Sequence, residues 1–174
     1  PRSFSSNRKH DIKFPFSIRL INWAWKLMFF RPTPYRADLT RSPEWNRGSY
    51  LVSTLGHCGE CHTPRNIFGA IKSRYAYAGT KHGPGGEKIP NITPDQETGI
   101  GDWTPNDVTW LLQTGFLPDG DVVGSSMADV VEHSTSHLTV EDQSAIAIYL
   151  KSLTPIYNQM PTRKVSVEDS INNW

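Results

Sequence analysis

Apolar positions recur at helical spacing in four stretches of the chain. From Phe14 to Phe30 nearly every position is apolar. The polar Arg19, Asn22 and Lys26 fall at i, i+3 and i+7, one narrow stripe along a helix. Pro32 and Pro34 stop that run. A second helix is predicted from Ser42-Pro43-Glu44, where a capping hydroxyl, a proline at the first helical position and a carboxylate suit a helix start. Gly48, Leu51, Val52 and Leu55 make its apolar face. Thr104-Pro105-Asn106-Asp107 opens a third helix by the same logic, with Val108, Leu111 and Leu112 inward and Gly115 as the stop. The fourth runs from Thr139 to about Leu153. Thr139 and Asp142 resemble a capping box, Ile146, Tyr149, Leu150 and Leu153 share a face, and Pro155 ends the helix.

Residues 66–102 fit none of these patterns. They hold seven glycines and three prolines, show no convincing strand alternation and contain no repeat. A long structureless loop sits badly in a compact domain unless something other than protein fills the core, so this stretch hints at a large cofactor. The apolar run at 14–30 is shorter than the roughly 20 residues a membrane span needs, and it carries two charges. Packing on the domain or on a neighbour is the favoured reading of it. An interfacial membrane helix is the alternative.

The 174 residues suit one domain with an appendage. The net charge of +1 argues against a nucleic-acid partner, and six Trp argue against global disorder. That +1 conceals a segregation: residues 1–49 carry +7, residues 50–90 carry +3, and residues 91–142 carry ten Asp or Glu with no Lys or Arg. The first residue is Pro1, and nothing near it reads as a signal peptide, so the expectation is a processed or excised product.

Both cysteines lie in Cys58-Gly59-Glu60-Cys61-His62, the C-x-x-C-H spacing of covalent c-type haem attachment. Two thiols at this spacing reach the two vinyl groups of one porphyrin, and the adjacent His62 is placed to ligate the iron. A redox dithiol would use the same cysteines but wants a βαβ context that the chain lacks. A zinc site built from His57, Cys58, Cys61 and His62 would crowd four ligands into six residues, with no second pair elsewhere. The second axial position can be taken by Met or His or left open. Met127 leads, in what reads as a loop after Gly124-Ser125-Ser126. Met28 lies in the amphipathic run, Met160 in the tail, and His133 and His137 are the competing ligands.

With the motif, the helices and Met127 in place, the chain resembles a class I cytochrome c domain, which implies an all-α fold with long Gly/Pro-rich loops around one covalent haem c. Three parts are expected: a basic arm with an amphipathic helix and linker over 1–41, a mono-haem domain over 42–158, and a tail over 159–174. Trp45 to Val52, Gly56 to Asn66, Asn91-Ile92-Thr93-Pro94, Gly101-Asp102-Trp103-Thr104, Met127 to Val131 and Ala145 to Leu153 carry a further likeness. They resemble the cytochrome c subunits of bacterial membrane-associated alcohol and gluconate-type dehydrogenases.

That resemblance implies a His62/Met127 haem, with the Pro90 carbonyl orienting the His62 ring. It also implies a crossing of the first and last domain helices at Gly48 and Tyr149, and Arg65 and Trp103 near the haem propionates. It implies electron transfer rather than catalysis, on the periplasmic side. A dehydrogenase subunit would be the donor, and another cytochrome, the quinone pool or a terminal oxidase the acceptor. Residues 14–30 would then meet a neighbouring domain or a membrane surface. Such subunits usually carry two or three C-x-x-C-H motifs where this chain has one. The competing reading is a haem protein with an exchangeable distal site that binds a small ligand or catalyses a reaction. The acidic 91–142 segment would either steer a basic partner or be neutralised by the basic arm.

Overall fold

The protein is described from a computed structural model covering residues 11–83 and 86–159. Residues 1–10 of the basic arm, Met160 and the tail from 160 onward lie outside the described residues. Contacts divide the chain after Pro34 into two units.

The first unit holds one helix, α1 (Arg19–Phe29). It begins later than the apolar run because residues 14–17 form a turn, closed by the Ile18 N–H donating to the Pro15 carbonyl at 3.1 Å. Asn22 then donates from Nδ2 to the Phe16 carbonyl at 2.7 Å. No residue of α1 is buried.

The second unit starts with a segment that the sequence reads as linker. Here Asn46 holds it down. Its Oδ1 accepts from the Asp38 N–H at 2.7 Å, its Nδ2 donates to the Asp38 carbonyl at 2.8 Å, and its backbone carbonyl accepts from the Tyr35 hydroxyl at 2.6 Å. Helix α2 (Pro43–Tyr50) follows, capped by the Ser42 hydroxyl with Pro43 in the first turn. It continues into a π-helical turn, Leu51–Leu55, closed by the Gly56 N–H on the Leu51 carbonyl at 2.7 Å. That wider turn explains a misplaced expectation. Leu51 and Val52 are buried as the 3.6 spacing predicts, but the extra residue per turn rotates Leu55 off the face and out to solvent.

Helix α3 (Gly59–His62) lies within the C-x-x-C-H motif. Helix α4 (Pro105–Thr114) has a complete capping box between Thr104 and Asp107 and ends on Gly115 at φ +79°. Helix α5 (Ser125–His133) occupies what the sequence reads as loop, so Met127 lies in a helical first turn. Helix α6 (Val140–Lys151) takes only half of its expected capping box. The Thr139 hydroxyl accepts from the Asp142 N–H, but the Asp142 carboxylate turns outward to Arg47 instead. The described residues contain three isolated bridges and no strand.

The core joins Leu51 and Val52 to Ile100, to Val108 and Leu112 of α4, and to Ile146, Ala147 and Leu150 of α6. Where α2 and α6 cross, a Cβ on Gly48 would overlap the Ala145 carbonyl and come within 2.9 Å of the Tyr149 Cβ. Around that crossing Trp45 donates from Nε1 to the Ser152 hydroxyl at 2.6 Å and meets Tyr149 edge-on at 5.1 Å between centroids. Arg47 makes two parallel 2.7 Å hydrogen bonds to the Asp142 carboxylate.

Candidate haem-attachment site

The π-helical turn delivers the chain to the motif. One of its carbonyls is used at once, the Cys58 N–H donating to the Val52 carbonyl at 3.0 Å. The His62 N–H then bonds the Cys58 carbonyl at 2.9 Å, so one short turn carries both thiols and the imidazole. Residues three apart in such a turn share a face, which aligns Cys58 with Cys61. Neither cysteine is bridged. Burial pushes the Cys58 thiol up to about 11. That is the reverse of the lowered thiol that a redox dithiol needs. Among the described residues no three His, Cys, Asp or Glu side chains gather in a group that could hold a metal ion.

His62 is buried, and its Nδ1 lies 2.8 Å from the Pro90 carbonyl. With the proton on Nδ1 this is an N–H donated to a carbonyl, and Nε2 keeps its lone pair. Burial lowers the His62 pKa from its ordinary value while the Pro90 bond opposes the shift. The ring is therefore neutral near pH 7, the form that ligates iron.

Two residues without a sequence signal make this contact. Gly79 donates its N–H to the His62 carbonyl at 2.7 Å and sits at φ +79°. A Cβ there would come within 2.6 Å of the Ile89 carbonyl oxygen and the Pro90 backbone, so only glycine lets the two segments approach. Tyr77 is held at φ +63° with its N–H on the Thr63 hydroxyl at 3.0 Å. Its ring is the surface that a side chain on Gly59 would meet at 3.3 Å. A bulky residue in the left-handed region stores strain that its surroundings must hold. Burial raises the Tyr77 phenol well above its ordinary value, and Tyr149 and Cys58 are its polar neighbours.

The other expected site residues fall as follows. Arg65 pairs with the Glu60 carboxylate inside the motif and donates to the Gly69 carbonyl at 2.8 Å, bracing α3 against the next turn. Trp103 is half-buried against the hydrophobic core. Met127 is half-buried, and its neighbour Ser126 donates to the Glu87 carboxylate at 3.0 Å, tying the start of α5 to the loop just before Pro90. His133 is exposed at the end of α5, and the His137 Nε2 is 3.0 Å from the Glu132 carbonyl. Two unbridged thiols, a buried neutral imidazole with one free nitrogen and a small apolar core suit a covalently held haem.

An all-helical domain built on C-x-x-C-H with these donors resembles a c-type cytochrome domain. The comparisons agree. A diheme c-type cytochrome of Cereibacter sphaeroides is 44% identical over 156 residues, which cover 90% of this chain and 51% of the relative. The fructose dehydrogenase cytochrome subunit of Gluconobacter japonicus is 42% identical over 146 residues, covering 83% and 29%. The cytochrome c subunit of a quinone alcohol dehydrogenase of Gluconobacter oxydans is 37% identical over 156 residues, covering 86% and 32%. No protein-family model matches the chain. The chain thus resembles the cytochrome c subunits of alcohol, fructose and gluconate dehydrogenases. It spans about half, or less, of the length of these relatives.

Proposed function

We propose that the chain is a periplasmic electron-transfer domain with one haem c, joined to Cys58 and Cys61, ligated by His62 and Met127, and fed by a dehydrogenase toward the respiratory chain. The observation that carries this is the His62 Nδ1–Pro90 contact at 2.8 Å beside two unbridged thiols. The bound haem would supply a one-electron couple without bond chemistry on a substrate. The chain's own part is to fix the ligand ring through Pro90 and to limit water by burying His62 and half-burying Cys58. Met127 is preferred over Met28 because Met28 lies in the first unit and is largely exposed. Asp119, Asp121, Asp129 and Glu132, on either side of Met127 in the sequence, are exposed and suit a basic partner surface.

The test is Met127→Ala in the haem-loaded protein. Loss of the thioether should change the ferric absorption spectrum, lower the reduction potential and open the ferrous iron to carbon monoxide. An unchanged spectrum and potential would show that another group holds the sixth position. Carbon monoxide binding to the unaltered protein would favour an exchangeable distal site instead.

A further inference from the structure

We propose that Asn91 is the positioning residue that holds the Pro90 carbonyl on the His62 ring, and that it does so by tying this contact to residues 156–158. The role rests on the reading of His62 as the iron ligand and deepens it by naming what sets the strength of the ligand's hydrogen bond. Pro90 is exposed and has no N–H, so neither burial nor a donated bond anchors it. The residues on either side must do so. Ile89 exchanges two backbone bonds with Thr80, at 2.8 and 2.9 Å. Asn91 is buried at 3% exposure and is held by its side chain. Its Oδ1 accepts from the N–H and the hydroxyl of Thr93 at 2.9 and 2.8 Å. Its Nδ2 donates to the Thr98 hydroxyl oxygen at 2.9 Å and to the Ile156 carbonyl at 2.8 Å. Both donors and both acceptor sites of the amide are therefore in use.

Residues 156–158 also reach the segment that holds the His62 main chain. Asn158 donates from Nδ2 to the Ala78 carbonyl at 2.8 Å and to the Gly79 carbonyl at 3.3 Å. Gly79 in turn donates its N–H to the His62 carbonyl at 2.7 Å. The Asn158 N–H donates to the Thr98 hydroxyl oxygen at 3.1 Å, and the Ile156 N–H to the Thr93 hydroxyl oxygen at 3.2 Å. Thr98 spends its own proton on the Asp95 carboxylate at 2.7 Å, so its oxygen is free to accept from both asparagines. One short segment thus joins the stretch that fixes the His62 backbone to the stretch that fixes its ring. A network with matched donors and acceptors is rigid, and losing one member leaves buried partners unmet. A firmly held Nδ1–H to carbonyl bond makes the imidazole a more basic ligand, which favours the ferric state. Asn91 and Asn158 act on the potential through Pro90.

The experiment uses the full haem-loaded chain with isotope-labelled histidine. In the ferrous form, nuclear magnetic resonance reads how fast the proton on His62 Nδ1 exchanges with solvent, and a redox titration reads the potential. Asn91→Ala removes the buried amide, and Asn158→Ala removes the half-buried donor to Ala78 and Gly79. Each should speed the exchange about tenfold, the factor that one net hydrogen bond contributes. Each should also raise the ferrous-to-ferric ratio at a fixed applied potential about threefold or more. Gly48→Ala, which strains the α2–α6 crossing instead, separates positioning from general weakening of the fold and should leave the potential unchanged. Unmoved exchange and potential in Asn158→Ala would overturn the proposal, even where Asn91→Ala does not fold. Equal changes in Gly48→Ala would overturn it as well. A His62 proton without a haem-shifted resonance in the unaltered protein would overturn the ligand reading itself, so the two failures are told apart.

Discussion

The crossing of α2 and α6 makes Gly48→Ala the most demanding test of the fold. The added methyl would overlap the Ala145 carbonyl and stand 2.9 Å from the Tyr149 Cβ. These atoms are backbone and Cβ, so no rotamer change relieves the overlap and the helices must part by about 1 Å. A gap of that size forfeits about a quarter to a half of each contact's dispersion well. Leu51, Val52, Ile146 and Leu150 pack in this cluster. At about 2 kcal/mol for each buried side chain they supply about 8 kcal/mol, of which about 2–4 is lost. Alanine returns about 1 kcal/mol by its better helix propensity. The net is about 1–3 kcal/mol of destabilisation, the usual range for overpacking. Urea unfolding followed by far-ultraviolet circular dichroism should show a lower midpoint at unchanged slope. A midpoint equal to or above that of the unaltered protein would refute the crossing.

Gly79→Ala should displace residues 89–91 and loosen the His62–Pro90 contact, because its Cβ has no room and its φ is positive. The expected readout is a shifted reduction potential and an altered ligand-field spectrum, and a potential identical to the unaltered protein would count against Pro90 as the orienting group. Asp142→Asn removes the carboxylate that Arg47 holds below the usual carboxylate range. Because the folded value is lowered, the ion pair's contribution is present above the carboxyl's ordinary value near 3.8 and fades as pH falls through the folded value. Unaltered and variant proteins should therefore differ in urea midpoint at pH 6 and converge in strong acid; a difference constant with pH would disprove the linkage. Tyr77→Phe removes a half-buried hydroxyl beside Tyr149 and should cost about 0.5–1.5 kcal/mol in the same unfolding assay. No loss would mean that the hydroxyl makes no stabilising contact.

What could be read from the sequence is what local chemistry decides. Ser42-Pro43 and Thr104 with Asp107 start their helices through neighbours three residues away, and the structure has them where the spacing puts them. The C-x-x-C-H motif is local in the same sense, since a single turn carries Cys58, Cys61 and His62. Helix α5 escaped because it has no side-chain cap and buries only Val131, so no apolar stripe marks it. Leu55 misled because the π-helical turn changes the period in mid-helix without changing the residue types. Asp142 and Arg65 show a different limit. Each has two chemically sensible partners, and the choice depends on which helix or turn lies opposite. For Asp142 the rival to its own cap is Arg47, 95 residues away, and a bidentate guanidinium outcompetes one backbone N–H. The Pro90 contact depends on the most distant information of all. It needs Gly79 and Tyr77 in the left-handed region so that the chain can fold back against His62. A left-handed tyrosine is disfavoured by its own local energetics, so no local rule could have found it. That is where strain at a candidate ligand site is expected: the C-x-x-C-H turn and its core hold Tyr77 in place, and Tyr77 in return fills the space beside Gly59.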